Sequence, residues 1–158
     1  QVLRLAGLAR ELDALPKLRR TAWFGAYGEG WALYAEKLAD ELGLYSSPQS
    51  RYGYLSSRAF RAARLVVDTG LHAKHWTRQQ AIDYGIEASE VERYVVWPGQ
   101  ACSYMVGMLR ILELREEAKA KLGAKYSLPD FHDVILRNGT LPLDVLGDVI
   151  RDWVAARG

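Results

Sequence analysis

The stretch GAYGEGWALYAE, residues 25–36, decides how the rest of the chain is interpreted. It lies within a helical pattern that we expect from about residue 17 to residue 42, ending at Gly43, a residue suited to a left-handed helix cap. Three glycines inside one helix give up roughly 2–3 kcal/mol of helix propensity relative to alanine. The sequence therefore predicts a long helix whose small side chains serve a close contact with another backbone.

Glu29 stands among these small side chains. Helical spacing places the following residues on one face: Ala22, Gly25, Ala26, Glu29, Ala32, Leu33 and Glu36. A carboxylate that points into such a contact needs a cation, a metal or several hydrogen bond donors, because burying an unpaired charge is costly. Two interpretations stay open: Glu29 pairs with an arginine or lysine at a helix crossing, or it is a metal ligand or catalytic carboxylate.

The same three- and four-residue spacing of apolar side chains continues along almost the whole chain, and alternating strand patterns are nearly absent. Further helices are expected over about 2–13, 51–75, 78–84, 90–122 with an interruption at residues 98–99, 128–137 and 142–155. A loop is expected at residues 46–50. Thr77 and Ser89 are the predicted N-caps, and Glu92 completes a capping box with Ser89. The pattern predicts an all-α fold, with residues 1–158 forming a single helical domain.

Composition excludes several classes of protein. A chain of 158 residues with 49% apolar and 25% charged side chains is typical of one globular domain that buries its own core. No apolar run reaches roughly 18 residues, so no transmembrane span is expected. Cys102 is the single cysteine, which excludes an intramolecular disulfide and a multi-cysteine zinc cluster. A net charge of +2 argues against a dedicated nucleic-acid binder.

A second group of polar side chains surrounds the predicted helix break at Pro98-Gly99. It contains the hydrogen bond donors Arg93, Tyr94, Gln100 and Tyr104. Donors beside a kink suit a site that holds a carbonyl oxygen or a carboxylate. The alternative is that both tyrosines, together with Trp97, are core aromatics whose polar ends reach the surface.

Histidines provide a weaker signal. His72 and His75 are spaced i, i+3, and Asp68 could share their face, so the two imidazoles could contribute to a zinc site. Catalytic zinc usually needs three protein ligands, and a hydrogen-bonded helix histidine is the alternative interpretation. His132 is interpreted as structural.

Residues 77–94 also mimic a helix-turn-helix unit. The would-be recognition helix begins with Glu90 and Glu92, which repel phosphates, and Arg93 alone offsets them. DNA binding is therefore the least favoured alternative.

Four ordered motifs resemble a known family. They are EGWALYAE at 29–36, RLVVDTGLH at 64–72, RY and PGQA within 93–101, and FHD at 131–133 followed by Gly139 and Pro142-Leu143. Together they resemble the C-terminal part of the bacterial domain-of-unknown-function family 885. The resemblance covers nearly the whole chain, and it implies a mostly helical relative of gluzincin-type zinc peptidases with carboxypeptidase-like or dipeptidase-like activity.

The resemblance also implies roles for individual residues. Glu29 would be a zinc ligand, and Tyr94 would stabilise the oxyanion. The remaining residues would contact the substrate: His72 and Arg93 at the reacting group, and Gln100 and Tyr104 at the terminal carboxylate of a peptide.

In the family, a His-Glu-x-x-Pro-Gly-His segment supplies the other zinc ligands and the general base, and these 158 residues lack it. We therefore expect an incomplete site: zinc in the intact parent protein, a peptide as substrate, and little activity in this chain alone. The missing N-terminal segment, or another chain, would be its partner. The alternative is a non-catalytic helical interaction or oligomerisation module, in which the face around Gly25, Glu29 and Ala32 pairs with a second copy.

Overall fold

The computed structural model describes residues 15–158, and within that range the chain is all-α, as predicted, with no strand. The helices are α1 (Lys17–Thr21), α2 (Gly25–Glu41), α3 (Pro48–Ala73), α4 (Arg78–Asp83), α5 (Ala88–Val96), α6 (Ser103–Leu122), α7 (Leu128–Arg137) and α8 (Leu143–Ala155), with 3-10 turns at Gln100–Cys102 and Gly123–Lys125. The helix expected over residues 2–13 lies outside the described residues. Between residues 15 and 158, no helix is both long enough and apolar enough to cross a bilayer.

The glycines of α2 allow the close backbone contact that the sequence predicts. A Cβ atom built on Gly107 of α6 would lie 1.8 Å from the carbonyl oxygen of Ala26 and 2.7 Å from the Cα of Gly30. Helices α2 and α6 therefore touch backbone to backbone. The contact uses Ala26 and Gly30, while Glu29 lies beside it.

The single helix predicted over residues 17–42 is wrong, because residues 22–24 separate α1 from α2. Trp23 in this break folds back onto α2, where a Cβ on Gly28 would lie 2.4 Å from its indole ring. The Ala22 carbonyl oxygen accepts a hydrogen bond of 2.6 Å from Thr140 Oγ1. A tertiary contact thus replaces the helical hydrogen bonding that the break interrupts.

Helix α3 begins earlier and ends earlier than predicted. Ser47 caps it, accepting a hydrogen bond of 3.1 Å from the Ser50 amide, so residues 48–50 form its first turn and not a loop. The helix ends at Ala73, and His75 lies beyond it with φ +56°. The helical i, i+3 pairing of His72 with His75 is therefore wrong.

One of the two predicted N-caps is confirmed. Thr77 caps α4, accepting a hydrogen bond of 3.2 Å from the Gln80 amide. The Ser89 cap is wrong, because α5 begins at Ala88 after Glu87 and has no side-chain cap bond. Glu92 instead pairs with Arg78 of α4 at 2.7 Å.

The predicted interruption at Pro98-Gly99 is confirmed. Helix α5 ends at Val96, and α6 begins at Ser103 after the 3-10 turn. Gly99 has φ +79°, a left-handed backbone conformation that favours glycine over residues with a Cβ atom.

Buried apolar side chains form two clusters. The first core joins α2, α6, α7 and α8; its largest fully buried members are Tyr34, Met108, Ile111, Leu114, Phe131, Ile135, Leu146 and Ile150. The second core joins α3, α4, α5 and the 3-10 turn; it consists of Val67, Ala81, Ile86, Val91, Tyr94 and Ala101. His132 is buried in the first core, where its Nε2 is 2.7 Å from the hydroxyl of Tyr34, a structural position as predicted.

Candidate functional site

A surface cleft of about 410 Å³ lies where the start of α2 meets the connection between α5 and α6. Its lining residues are Trp23, Gly25, Glu29, Trp97, Pro98, Gly99, Gln100 and Ser103. The cleft thus brings together Glu29 and Gln100, two of the predicted site residues from distant parts of the sequence.

Among the described residues 15–158, Glu29 contributes the only charged side chain to the lining of this cleft. It is half-buried, and no residue between 15 and 158 gives its carboxylate a hydrogen bond or an ion pair. The interpretation in which Glu29 pairs with a basic residue at a helix crossing therefore finds no partner in this part of the chain. An acceptor group with unfilled capacity faces the cleft.

Gln100 has an amide orientation that its neighbour determines. Its Oε1 accepts a hydrogen bond of 2.7 Å from Nη1 of Arg93. Because a guanidinium only donates hydrogen bonds, the amide oxygen must face Arg93. The amide nitrogen then keeps its donors for another group, since residues 15–158 supply no acceptor for it.

Arg93 is itself fixed by Glu90, one turn earlier in α5. Its Nη2 donates to Glu90 Oε2 at 2.9 Å, and its Nε donates to Oε1 at 3.3 Å. These hydrogen bonds from Arg93 lower the pKa of Glu90, with a smaller contribution from Arg64, whose Nη2 lies 3.7 Å from the same carboxylate. The carboxylate thus holds two guanidinium groups, and one of them positions Gln100 at the cleft.

Asp68 of α3 fixes the backbone of the cleft wall. It is only 3% exposed, and both of its carboxylate oxygens accept hydrogen bonds of 3.1 Å from the Gly99 amide.

Burial and the nearby Asp68 raise the pKa of the Cys102 thiol to about 11. Cys102 is therefore protonated at neutral pH and poorly suited to act as a nucleophile.

Tyr94 is fully buried in the second core and does not line the cleft. The guanidinium carbons of Arg93 and Arg64 lie 5.3 and 5.6 Å from its ring centre. Its hydroxyl is close to Glu90 but makes no hydrogen bond of standard geometry. Burial raises the pKa of Tyr94 to about 12, so the phenol keeps its proton at neutral pH.

His72 and Tyr104 also lie outside the cleft lining. The Nε2 of His72 is 3.0 Å from the carbonyl oxygen of Tyr94, which can only accept, so this nitrogen carries the hydrogen. The bond fastens α3 to the last turn of α5. The ring of Tyr104 lies 4.7 Å from the guanidinium carbon of Arg64 and 5.7 Å from that of Arg61.

The structure therefore gathers Glu29 and Gln100 in one cleft, attaches Arg93 to it, and places Tyr94, His72 and Tyr104 behind it or to one side. Sequence reasoning missed Trp23 as a wall of the cleft and treated Trp97 as a possible core residue, although 59% of Trp97 is exposed. It also missed the hydrogen bonds of Asp68 to Gly99, for which the sequence offers no spacing signal.

Comparison with known proteins places the chain among bacterial relatives. No curated protein matches it. A crystal structure described as that of "the putative lipoprotein from Colwellia psychrerythraea" superimposes with a TM-score of 0.88 at 52% sequence identity. The match covers 94% of this chain but only 27% of that chain, so this chain corresponds to a minor part of the solved relative. The family model for bacterial proteins of unknown function, DUF885, matches residues 2–150, and the chain belongs to this family.

Proposed function

We propose that this chain is the C-terminal portion of a zinc-dependent metallopeptidase that hydrolyses peptides in a carboxypeptidase-like or dipeptidase-like manner. The observation that carries the proposal is the carboxylate of Glu29, which is half-buried in the cleft beside Gln100 and has no partner among residues 15–158. An unpaired anion in a partly enclosed site is stabilised by a cation. Because the EGWALYAE motif resembles a motif that supplies a zinc ligand, we infer that this cation is zinc.

Glu29 suits zinc as one ligand but cannot hold it alone. Carboxylate oxygen is a common zinc ligand, and catalytic zinc takes three protein ligands. Among residues 15–158, no group of three or more His, Cys, Asp and Glu side chains is placed to hold a metal. The other ligands in this proposal come from the His-Glu-x-x-Pro-Gly-His segment of the family, in keeping with a solved relative of which the matched region is 27%.

When bound, zinc lowers the pKa of a coordinated water and polarises a carbonyl group. The residues of this chain would bind and orient the peptide next to the metal. The amide nitrogen of Gln100, oriented by Arg93, donates to a carbonyl or terminal carboxylate of the peptide, and Tyr104 assists in this binding. Tyr94 lies buried behind the cleft, so donation of its phenol proton to the oxyanion requires that the second core open beside Gln100; with a pKa of about 12 it would act there as a donor and not as a base, with His72 and Arg93 in supporting roles.

The first experiment measures zinc by elemental mass spectrometry after dialysis against metal-free buffer. It compares this chain with a longer polypeptide that also carries the His-Glu segment. We expect well under one zinc per molecule in the first and about one in the second. In the longer polypeptide, Glu29→Gln should weaken zinc binding by at least about 100-fold, because even outer-shell partners of a zinc site contribute 10–100-fold.

Glu36→Gln is the matched control, since Glu36 lies in the same helix, is also half-buried and contacts Ser57 of α3. Full zinc binding by Glu29→Gln would reject Glu29 as a ligand. Loss of zinc in both variants would indicate a general structural effect and would also count against the assignment.

The oxyanion role of Tyr94 has its own test. Tyr94→Phe in the longer polypeptide should reduce turnover of short peptides at least about ten-fold, because one oxyanion donor is lost while the apolar ring is kept. Helix content and zinc binding serve as controls. Unchanged turnover would reject this role and leave the zinc assignment intact.

The second candidate function is a helical interaction module. Its supporting observation is the exposure of large apolar side chains between the end of α2 and the first turns of α3: Leu42 is 64% exposed, Leu44 67% and Tyr52 75%. Large exposed apolar side chains suit association with another protein surface. Size-exclusion chromatography with light scattering tests it; a strictly monomeric chain over a wide concentration range would contradict self-association.

A further inference from the structure

We propose that the cleft beside Glu29 is a side-chain subsite in which Trp23 and Trp97 bind an aromatic residue of a peptide. This inference rests on the proposed function, which supplies the peptide as ligand, and it adds a substrate preference that the zinc assignment does not contain.

Trp23 is a fixed but open aromatic surface. Trp23 is 68% exposed, yet a Cβ on Gly28 would lie 2.4, 3.0 and 3.1 Å from three atoms of its ring. The ring therefore rests against the backbone of α2, at a position where any side chain larger than hydrogen would displace it. The glycine orients the indole without burying it.

Trp97 provides the second aromatic surface of the same cleft. Its side chain is 59% exposed. Its backbone amide donates to the carbonyl oxygens of Arg93 at 3.1 Å and Tyr94 at 3.2 Å, which ties the residue to the end of α5. The following Gly99 is held by Asp68. Both indoles thus stand at defined places on ordered backbone with most of their surface open.

The polar groups of the cleft point to a peptide and not to a purely apolar ligand. The amide nitrogen of Gln100 and the hydroxyl of Ser103 have no acceptor among residues 15–158. A peptide backbone presents carbonyl oxygens that these donors can bind. The volume of the cleft, about 410 Å³, lies within the range of sites that bind small molecules, and its lining combines aromatic walls with a few polar groups.

The charge of the cleft lining restricts which peptide side chains the cleft can bind. Glu29 is the only charged residue in the part of the cleft lining that residues 15–158 supply, so without a metal this lining repels an acidic ligand. Pairs of aromatic rings attract each other by more than the burial of their apolar area alone supplies. A neutral aromatic side chain therefore gains most from this site.

The test is a titration of the metal-free chain with N-acetyl-L-phenylalaninamide, followed by the five indole N–H signals in a nitrogen-15 NMR spectrum. Tryptophan-to-phenylalanine variants assign the signals. We expect saturable shifts for Trp23 and Trp97 and little change for Trp76 and Trp153, which line other surface clefts. N-acetyl-L-alaninamide and N-acetyl-L-glutamic acid amide should bind at least about five-fold more weakly.

Trp97→Ala should weaken binding of the phenylalanine ligand at least about five-fold, whereas Tyr52→Ala, at an exposed aromatic residue distant in sequence, should not change it. Equal shifts of all five indoles, equal affinity for the alanine ligand, or full affinity in Trp97→Ala would each overturn the proposal. If Trp97→Ala loses helix content, Trp23→Ala takes its place. Because this titration contains no zinc, a negative result rejects the aromatic subsite alone. The metallopeptidase proposal is rejected separately, if Glu29→Gln binds zinc as tightly as the unmodified longer polypeptide.

Discussion

The two cores of the molecule are stabilised by different kinds of interaction. In the first core, α2 and α6 touch through glycine backbone atoms, and a continuous set of apolar side chains from four helices packs around them. In the second core, six buried apolar residues accompany buried or half-buried charged groups, among them Arg64, Asp68 and Glu90. The candidate site lies beside the second core, where specific hydrogen bonds replace general apolar packing.

The two kinds of interaction differ in how the free energy of unfolding responds to a substitution. Full burial of one large apolar side chain stabilises a fold by about 1.5–3 kcal/mol, and the first core contains many such side chains. A hydrogen bond to a charged group contributes a similar amount, but only while both partners stay in place. The first core should therefore tolerate the loss of any one side chain better than a clash at its backbone contact, whereas the second core should depend on single polar residues.

The largest effect is expected from Gly107→Ala. The added Cβ would lie 1.8 Å from the carbonyl oxygen of Ala26, and backbone atoms on both sides cannot rotate away. We expect a loss of at least about 3 kcal/mol in the free energy of unfolding, measured by urea denaturation. Gly53→Ala in α3 is the matched control: a Cβ there meets no atom within 4 Å, so stability should rise by about 0.5–1 kcal/mol. Equal stability changes in the two variants would contradict the backbone contact.

A smaller loss is expected from Asp68→Ala, which removes the acceptor of the Gly99 amide. We expect about 2 kcal/mol, together with faster hydrogen exchange at Gly99, because the amide loses a charged partner. Thr69→Ala, on the exposed side of the same helix, should change stability by less than about 0.5 kcal/mol. Unaltered exchange at Gly99 in Asp68→Ala would show that the wall of the cleft does not depend on this carboxylate.

The smallest effect concerns pH and Glu90. Hydrogen bonds from Arg93 lower the pKa of this carboxyl in the folded chain below its usual value of 4.5. Its contribution to stability is therefore present above pH 4.5 and is lost as the pH falls through the lowered pKa. Glu90→Gln should reduce stability at pH 7 by about 1 kcal/mol or less and flatten the decline in acid.

Glu92→Gln provides the comparison for Glu90, since Glu92 lies on the same helix as Glu90 and makes an exposed ion pair with Arg78 of α4. It should leave the shape of the stability–pH curve close to that of the unmodified chain. If both variants decline in acid as steeply as the unmodified chain, then Glu90 does not couple stability to pH.

Local rules predicted much of the fold. Apolar periodicity placed the helices, the break at Pro98-Gly99 followed from proline and glycine chemistry, and Thr77 was identified as a cap. The helix break at residues 22–24 was missed for a tertiary reason. Trp23 turns back onto Gly28, five residues along the chain, and Thr140, 118 residues away in sequence, binds the Ala22 carbonyl.

The candidate site was less predictable than the fold. The small side chains around Glu29 indicated a carboxylate in a special setting, and the donors near Pro98 indicated Gln100 and Arg93. Which of these residues share a cleft depends on how α2 approaches the α5–α6 connection, and the glycine contact with α6 sets that approach. Residue spacing along one helix contains no information about such a distance.

The packing of Trp23 on Gly28 provides a way to follow the width of the cleft by spectroscopy. Trp23 is anchored to α2 of the first core, and Trp97 is anchored to α5 of the second, yet both line one cleft. Any displacement of one core against the other changes the separation of the two indoles. With Trp31, Trp76 and Trp153 replaced by phenylalanine, the fluorescence of the two remaining indoles would therefore report the width of the cleft between the two cores.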